Sequence, residues 1–219
     1  MNIRTKTQDL SYTRARACAL AAAVLFLAAA ARAQGAPASS DFAGQYAAAV
    51  SSSARLDAVM GAIGSGQADQ SAWLAADFGQ EQDPLIRGWM LRGAARLSPQ
   101  SGISFFEQGL KDPSPWVRLA AVSALGHLGT AAAAADLAGV LSAEANPGVR
   151  QSAAYWLGRL SGVAAVSALK ESLATDQNPN VRVEAARALL RMGTPEARSA
   201  LSAASNDADP VVRQIAHGR

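Results

Sequence analysis

Between residues 54 and 219 the apolar residues recur at helical spacing, and the helical stretches themselves recur. The register is set by Arg55, Arg87, Arg118, Arg150, Arg182 and Arg213, which stand 31 or 32 residues apart. Three residues after each arginine come Ala58, Met90, Ala121, Ala153, Ala185 and Ala216. Seven after, from the second copy on, come Ala94, Leu125, Leu157 and Leu189; ten after come Leu97, Leu128, Leu160 and Met192. Offsets of three, seven and ten share one face of an α-helix, so these positions form a buried stripe. A second apolar column, Leu74, Phe105, Leu137, Leu169 and Leu201, runs at spacings of 31, 32, 32 and 32. Each unit therefore holds two helices, A and B. Two short helices cannot bury both apolar faces alone, so neighbouring hairpins must stack. The pattern predicts an all-α solenoid of antiparallel helical hairpins.

The polar residues between the stripes mark where the helices begin. Five register arginines follow a proline by three residues, as in Pro115-Trp116-Val117-Arg118, and Asp83, Ser114, Asn146, Asn178 or Asp209 precedes that proline. Such side chains accept a hydrogen bond from an N–H of the first turn, and proline at the first helical position loses no bond. The A-to-B turns fall at Ser98-Pro99, Gly129-Thr130, Ser161-Gly162 and Gly193-Thr194. Upstream, Asp41 is expected to cap a helix running to about Val50, with an apolar contact between Phe42 and Tyr46. Ser51–Ser53 then interrupts that helix, and a degenerate first repeat follows with helices over Ala54–Ile63 and Gln70–Phe78. The last unit keeps only six residues after Arg213, so its helix A is cut short.

The unit Asp112–Gly129, DPSPWVRLAAVSALGHLG, followed by a second helix, resembles the short HEAT-like repeat named after phycobilisome lyases. Tetratricopeptide and ankyrin repeats have similar periods, but their signature residues are absent. The resemblance covers roughly residues 54–219 and implies a right-handed α-solenoid whose B helices line the concave side. It does not imply lyase activity, because such repeats serve many functions. A lyase-like accessory factor or chaperone for a cofactor-bearing protein is the second reading, and it rests on the family name alone.

Composition changes the picture mainly at the N-terminus. Arg4, Lys6, Arg14 and Arg16 precede an uncharged run, Ala17–Ala31, and Ala31-Arg32-Ala33 makes a small-x-small cleavage site. Residues 1–33 are thus expected to be a secretory signal peptide, with 34–53 as linker and capping helix before the repeat domain at 54–219. Fifteen apolar residues fall short of a membrane span. Cleavage after Ala33 would leave a periplasmic or secreted chain with no stable membrane insertion. The net charge of +3 then falls to −1, since five of 20 basic and one of 17 acidic residues leave. A near-neutral chain is not built for nucleic acid. The single cysteine, Cys18, leaves as well, which excludes disulfides and thiolate chemistry.

Enzyme chemistry finds no support in the rest of the chain. Only His127 and His217 are present, neither in a metal-ligand pair, and no Gly-x-Ser-x-Gly, phosphate loop or dinucleotide fingerprint occurs. No catalytic residue, cofactor or metal is expected. The function read from the sequence is binding of another protein through the extended solenoid surface. The register arginines suit a ladder between repeats, pairing with acids or carbonyls of neighbouring turns. The binding candidates lie five and nine residues after them: Arg92 and Arg96, His127 beside Ser123, Tyr155 and Arg159, Arg187 and Arg191. Stacking would line these up on the outer side of helix A, as a docking strip for an acidic surface. Cations near a helix C-terminus also complement its dipole without any partner. Trp116 and Trp156 complete the candidates as aromatic anchors at the edge of the stack, although Trp156 also suits gap-filling in the core. Trp73 and Trp89 are expected in the core. The truncated C-terminal end is a further candidate, for contact with a partner or a second copy.

Overall fold

The computed structural model describes residues 41–160 and 162–218; the segment expected to direct export lies outside them. The described residues form helices and no strand. Helix α1 (Phe42–Ala48) precedes five hairpins: α2 (Ser52–Ser65) with α3 (Gln70–Asp77), α4 (Pro84–Leu97) with α5 (Ile103–Gly109), α6 (Pro115–Leu128) with α7 (Ala131–Ala143), α8 (Pro147–Leu160) with α9 (Val163–Thr175), and α10 (Pro179–Met192) with α11 (Pro195–Ala203). The short α12 (Pro210–Ala216) opens a sixth unit. Each A helix packs against the A helices before and after it, and each B helix packs against its own A helix and the next. The chain is an α-solenoid.

The caps work as their chemistry dictates, with one exception. Asp83, Asn146, Asn178 and Asp209 accept first-turn N–H groups at 2.8 to 2.9 Å. The Ser114 side chain makes no cap bond. Instead its N–H donates to Asp112 at 2.8 Å. The break after α1 ends at Ser51, which caps the next helix by accepting from Ala54 N–H, so Ser52 and Ser53 are helical and α2 starts two residues before the expected boundary at 54. Asp41 caps α1 through Gly44 N–H, and α1 stops at Ala48 rather than Val50. Gly129 and Gly193 end α6 and α10 at φ of 71° and 61°, the left-handed conformation that glycine reaches without strain.

The stripe at offsets three and seven is the core. Met90, Ala121, Ala153, Ala185, Leu125, Leu157 and Leu189 are wholly buried. Offset ten lies at the edge, where Leu97, Leu160 and Met192 are only partly buried. The B-helix column is buried throughout. A fully buried leucine contributes roughly 1.5–3 kcal/mol, and the alanines between let the A helices approach closely. Trp73 and Trp89, expected in the core, are only partly buried and pack against it.

A second lattice, of ions, runs beside the core. Arg55, Arg87, Arg118, Arg150 and Arg182 each turn one guanidinium edge onto a carboxylate of the following turn: Glu81, Asp112, Glu144, Asp176 and Asp207. Arg118, for example, meets both Glu144 oxygens at 2.7 Å. The same carboxylate accepts the N–H two residues on, and its own backbone carbonyl accepts from the next arginine. Glu144 shows both, taking Asn146 N–H at 2.7 Å and offering its carbonyl to Arg150 Nη1 at 2.7 Å. Each rung thus joins one repeat to the next and stiffens the start of the next helix A. Hydrogen bonds from Arg118 and Arg182 hold the Glu144 and Asp207 carboxyls below their ordinary range. At the first rung, Tyr46 of α1 donates to Glu81 at 2.7 Å, tying the N-terminal helix to the stack.

Candidate functional site: an aromatic and cationic strip on the A helices

The ladder consumes Arg87, Arg118, Arg150 and Arg182 and leaves a different set of cations on the A helices. Arg92, Arg96, Arg159, Arg187, Arg191 and His127 are all exposed. Across α4, α6, α8 and α10 the only acidic residue is Glu184. Arg191 donates to it at 3.2 Å, and Arg187 lies 3.8 Å away. These helices thus carry one carboxylate beside five exposed arginines, of which Arg187 and Arg191 are near it. Arg96, His127, Arg159 and Arg191 sit in last turns, where they also complement helix dipoles.

The structure gathers the C-terminal half of this strip around two aromatic rings. Tyr155, 40% exposed, meets Trp156 edge-on with centroids 5.3 Å apart. Arg159 lies over both rings at 5.9 Å, and Arg191 reaches back from α10 to Tyr155 at 5.8 Å. From α6, the His127 ring lies tilted against Trp156, with centroids 4.5 Å apart. His127 Nδ1 donates to the Ser123 carbonyl at 2.7 Å, which ties the ring to its own helix. Three successive repeats thus contribute to one cluster. A recess of about 230 Å³ adjoins it, lined by Gly148, Gln151, Ser152, Tyr155 and the buried Glu184.

Other candidates stand apart. Arg92 covers Trp89 at 5.2 Å, forming a smaller cation–π pair on α4. Trp116, 39% exposed, lies across Gly88 of the preceding helix A, where a Cβ would stand 2.4 Å from its Nε1. Trp156 is seated likewise on Gly126, where a Cβ would stand 2.1 Å from the indole. It is both packed and half-open, so gap-filling and display are one arrangement. Two glycines and Glu184 were not singled out from the sequence. The glycines carry a signal, since helix-interior glycine under a tryptophan of the next repeat marks a seat. Glu184 has none beyond being the lone acid on these helices.

The B-helix side offers an open groove of about 700 Å³ between α7 and α9, lined largely by small residues such as Ser142, Ser167 and Ala168. Its carboxylates Glu144 and Asp176 are engaged in the ladder, and Glu171 makes no ion pair among the described residues. Nearby, Asp136 is pushed above the usual carboxylate range by burial and by Glu107, and its Oδ2 is buried without a partner among the described residues. No group of three metal-binding side chains occurs among the described residues, and none of their helices is long and apolar enough to cross a membrane.

The chain matches the family model for HEAT repeats over residues 72–158 and 138–217. No curated protein matches it. Among solved structures it is similar to the complex of CpcE and CpcF of phycocyanin lyase from Nostoc sp. PCC7120, with a TM-score of 0.58, 18% identity, and coverage of 83% of this chain and 76% of that one. It is also similar to a designed armadillo repeat protein in complex with a (KR)4 peptide, with a TM-score of 0.55, 18% identity, and coverage of 81% and 97%. These likenesses are of fold.

Proposed function

We propose that this chain, which belongs to the HEAT-repeat family, is an exported, non-catalytic scaffold that binds an acidic protein surface through the outer strip of its A helices. The observation that carries the reading is the exposed Tyr155 ring, set against the partly buried Trp156, with Arg159 over both rings and Arg191 over Tyr155. Dipole complementarity accounts for a cation in a last turn, but not for two rings displayed beneath it. Tyrosine, tryptophan and arginine dominate binding hot spots because they offer large contact area together with polar tips. Five arginines against one glutamate set the partner's charge, and Arg92, Arg96 and Trp116 extend the strip toward the N-terminal repeats. Export rests on the leader-like pattern of residues 1–33, and the exported chain is expected to begin at Gln34.

The test is capture from the envelope fraction by the tagged full chain, comparing wild type with Tyr155→Ala/Arg159→Glu. Both positions are exposed, so melting temperatures should agree. A specific acidic partner retained by wild type, weakened by salt and lost from the double variant is the expected result. Identical retention by both proteins would refute the strip. A co-purifying chromophore would favour the lyase-like accessory role instead.

A further inference from the structure

Glu184 is the one carboxylate set among the cations of the A helices, and its bonding differs from that of the ladder acids. Asp176, in the ladder, takes two nitrogens of Arg150 and the Asn178 N–H at 2.8 to 2.9 Å. Glu184 is 7% exposed. Among the described residues its carboxylate accepts a single hydrogen bond, from Arg191 Nη2 at 3.2 Å, and Arg187 stays 3.8 Å from the other oxygen. A carboxylate sunk this deep on one long bond recovers little of its lost hydration. Stability does not explain the residue, but its effect on Arg191 does. Arg191 stands in the last turn of α10, seven residues beyond Glu184. The bond lays its side chain back over two turns of its own helix. There Nη2 rests against Gly158 of α8, where a Cβ would stand 2.8 Å from it. The guanidinium comes over Tyr155, 5.8 Å from the ring centroid. At the same offset before Arg159, His127 and Arg96 stand Ser152, Ala120 and Trp89, so the arrangement belongs to α10 alone.

We propose that Glu184 is a positioning residue of the outer strip: it fixes Arg191 across Tyr155 and so presets the cation that a partner's carboxylate meets. The inference rests on the docking role proposed above for that strip. A loose arginine loses rotamer freedom when it is bound, whereas one already held incurs little of that loss. Arg159 also lies over Tyr155, but without an acid two turns back. The ring therefore carries one fixed guanidinium and one that adapts. The fixed one sets where an acidic group must stand, and the adaptable one follows it.

The experiment compares the full chain with Glu184→Met, which keeps the side-chain length and removes the carboxylate, and with Glu184→Gln, which keeps an acceptor. The heteronuclear NOE of the Arg191 Nε–H, assigned by its loss in Arg191→Gln, reports side-chain order on the picosecond-to-nanosecond scale. In wild type it should exceed that of Arg159. It should fall to the Arg159 level in Glu184→Met and stay partly raised in Glu184→Gln, while the Glu184→Met melting temperature does not drop. In the envelope capture, Arg191→Gln should weaken the retained partner about fivefold in the wild-type background and less than about twofold in Glu184→Met, as for coupled neighbours. The charge removed with Glu184 is common to both members of the second pair and cancels. An unchanged Arg191 NOE in Glu184→Met would overturn the proposal. So would a melting temperature lowered as far as in Arg150→Gln, or equal losses in the two backgrounds. If wild type retains no partner, the docking role falls, and the NOE still decides the positioning.

Discussion

The Arg150→Gln substitution tests whether the ladder binds the repeats together. Arg150 donates to both Asp176 oxygens, at 2.8 and 2.9 Å, and to the carbonyls of Glu144 and Ala145, at 2.7 and 3.1 Å. Glutamine cannot span this set. Asp176 would keep only the Asn178 N–H, at 2.8 Å, to hold a carboxylate that is 6% exposed. Breaking a fully buried pair costs about 3–5 kcal/mol. Here the Arg150 side chain is 15% exposed, so water repairs part of the loss. The expected cost is about 2–4 kcal/mol, or a melting temperature lower by roughly 5–15 °C for a chain of this size. Arg159→Gln, on the exposed strip, should change stability by no more than about 0.5 kcal/mol.

Acidification should weaken this rung. Burial pushes the Asp176 carboxyl up, but the Arg150 and Asn178 hydrogen bonds and the nearby charges outweigh it, so its folded pKa lies below the ordinary value. The stability it contributes is complete above the unfolded pKa of about 3.9 and is lost as pH falls through the folded value. The gap between wild type and Arg150→Gln should therefore be widest at neutral pH and close in strong acid. Thermal unfolding by far-UV circular dichroism measures it. A neutral-pH change no larger than that of Arg159→Gln would refute the ladder's role, as would a gap that widens on acidification.

Leu157→Asp places a charge in a wholly buried layer and should unfold the stack around α8; unchanged thermal unfolding would count against the packing described. Gly126→Ala would set a Cβ 2.1 Å from the Trp156 indole and should displace it at a cost of about 1–3 kcal/mol. A shift in tryptophan emission together with weaker partner capture is the expected pair of readouts. Asp136→Asn should stabilise the protein at neutral pH, because burial and Glu107 raise the folded pKa of this carboxyl and so disfavour its ionised form. That gain should vanish as pH falls below the unfolded pKa, where the wild-type residue is protonated as well.

Much of this architecture is legible along the chain because its causes are local. Asn146-Pro147 and Asn178-Pro179 start helices through side chains and backbone one to three residues away. The offsets of three and seven identify a buried face without knowledge of what covers it. The ladder was half visible: the arginine column was readable, and an acid six residues before each of the last five arginines, Glu81 through Asp207, was the unread signal. Which arginine meets which acid depends on how far one hairpin is displaced from the next, and only stacking sets that. The cluster around Tyr155 shows the same division. Sequence placed Tyr155, Arg159 and Arg191 on A helices at repeating offsets. Tertiary structure decided that Arg191 reaches back over Tyr155, that His127 lies on Trp156, and that Gly126 makes the seat. Helix propensity, capping and amphipathic period act within a few residues and are written in the local sequence. Contacts between repeats join residues about 30 positions apart, and their geometry exists only once the hairpins have packed.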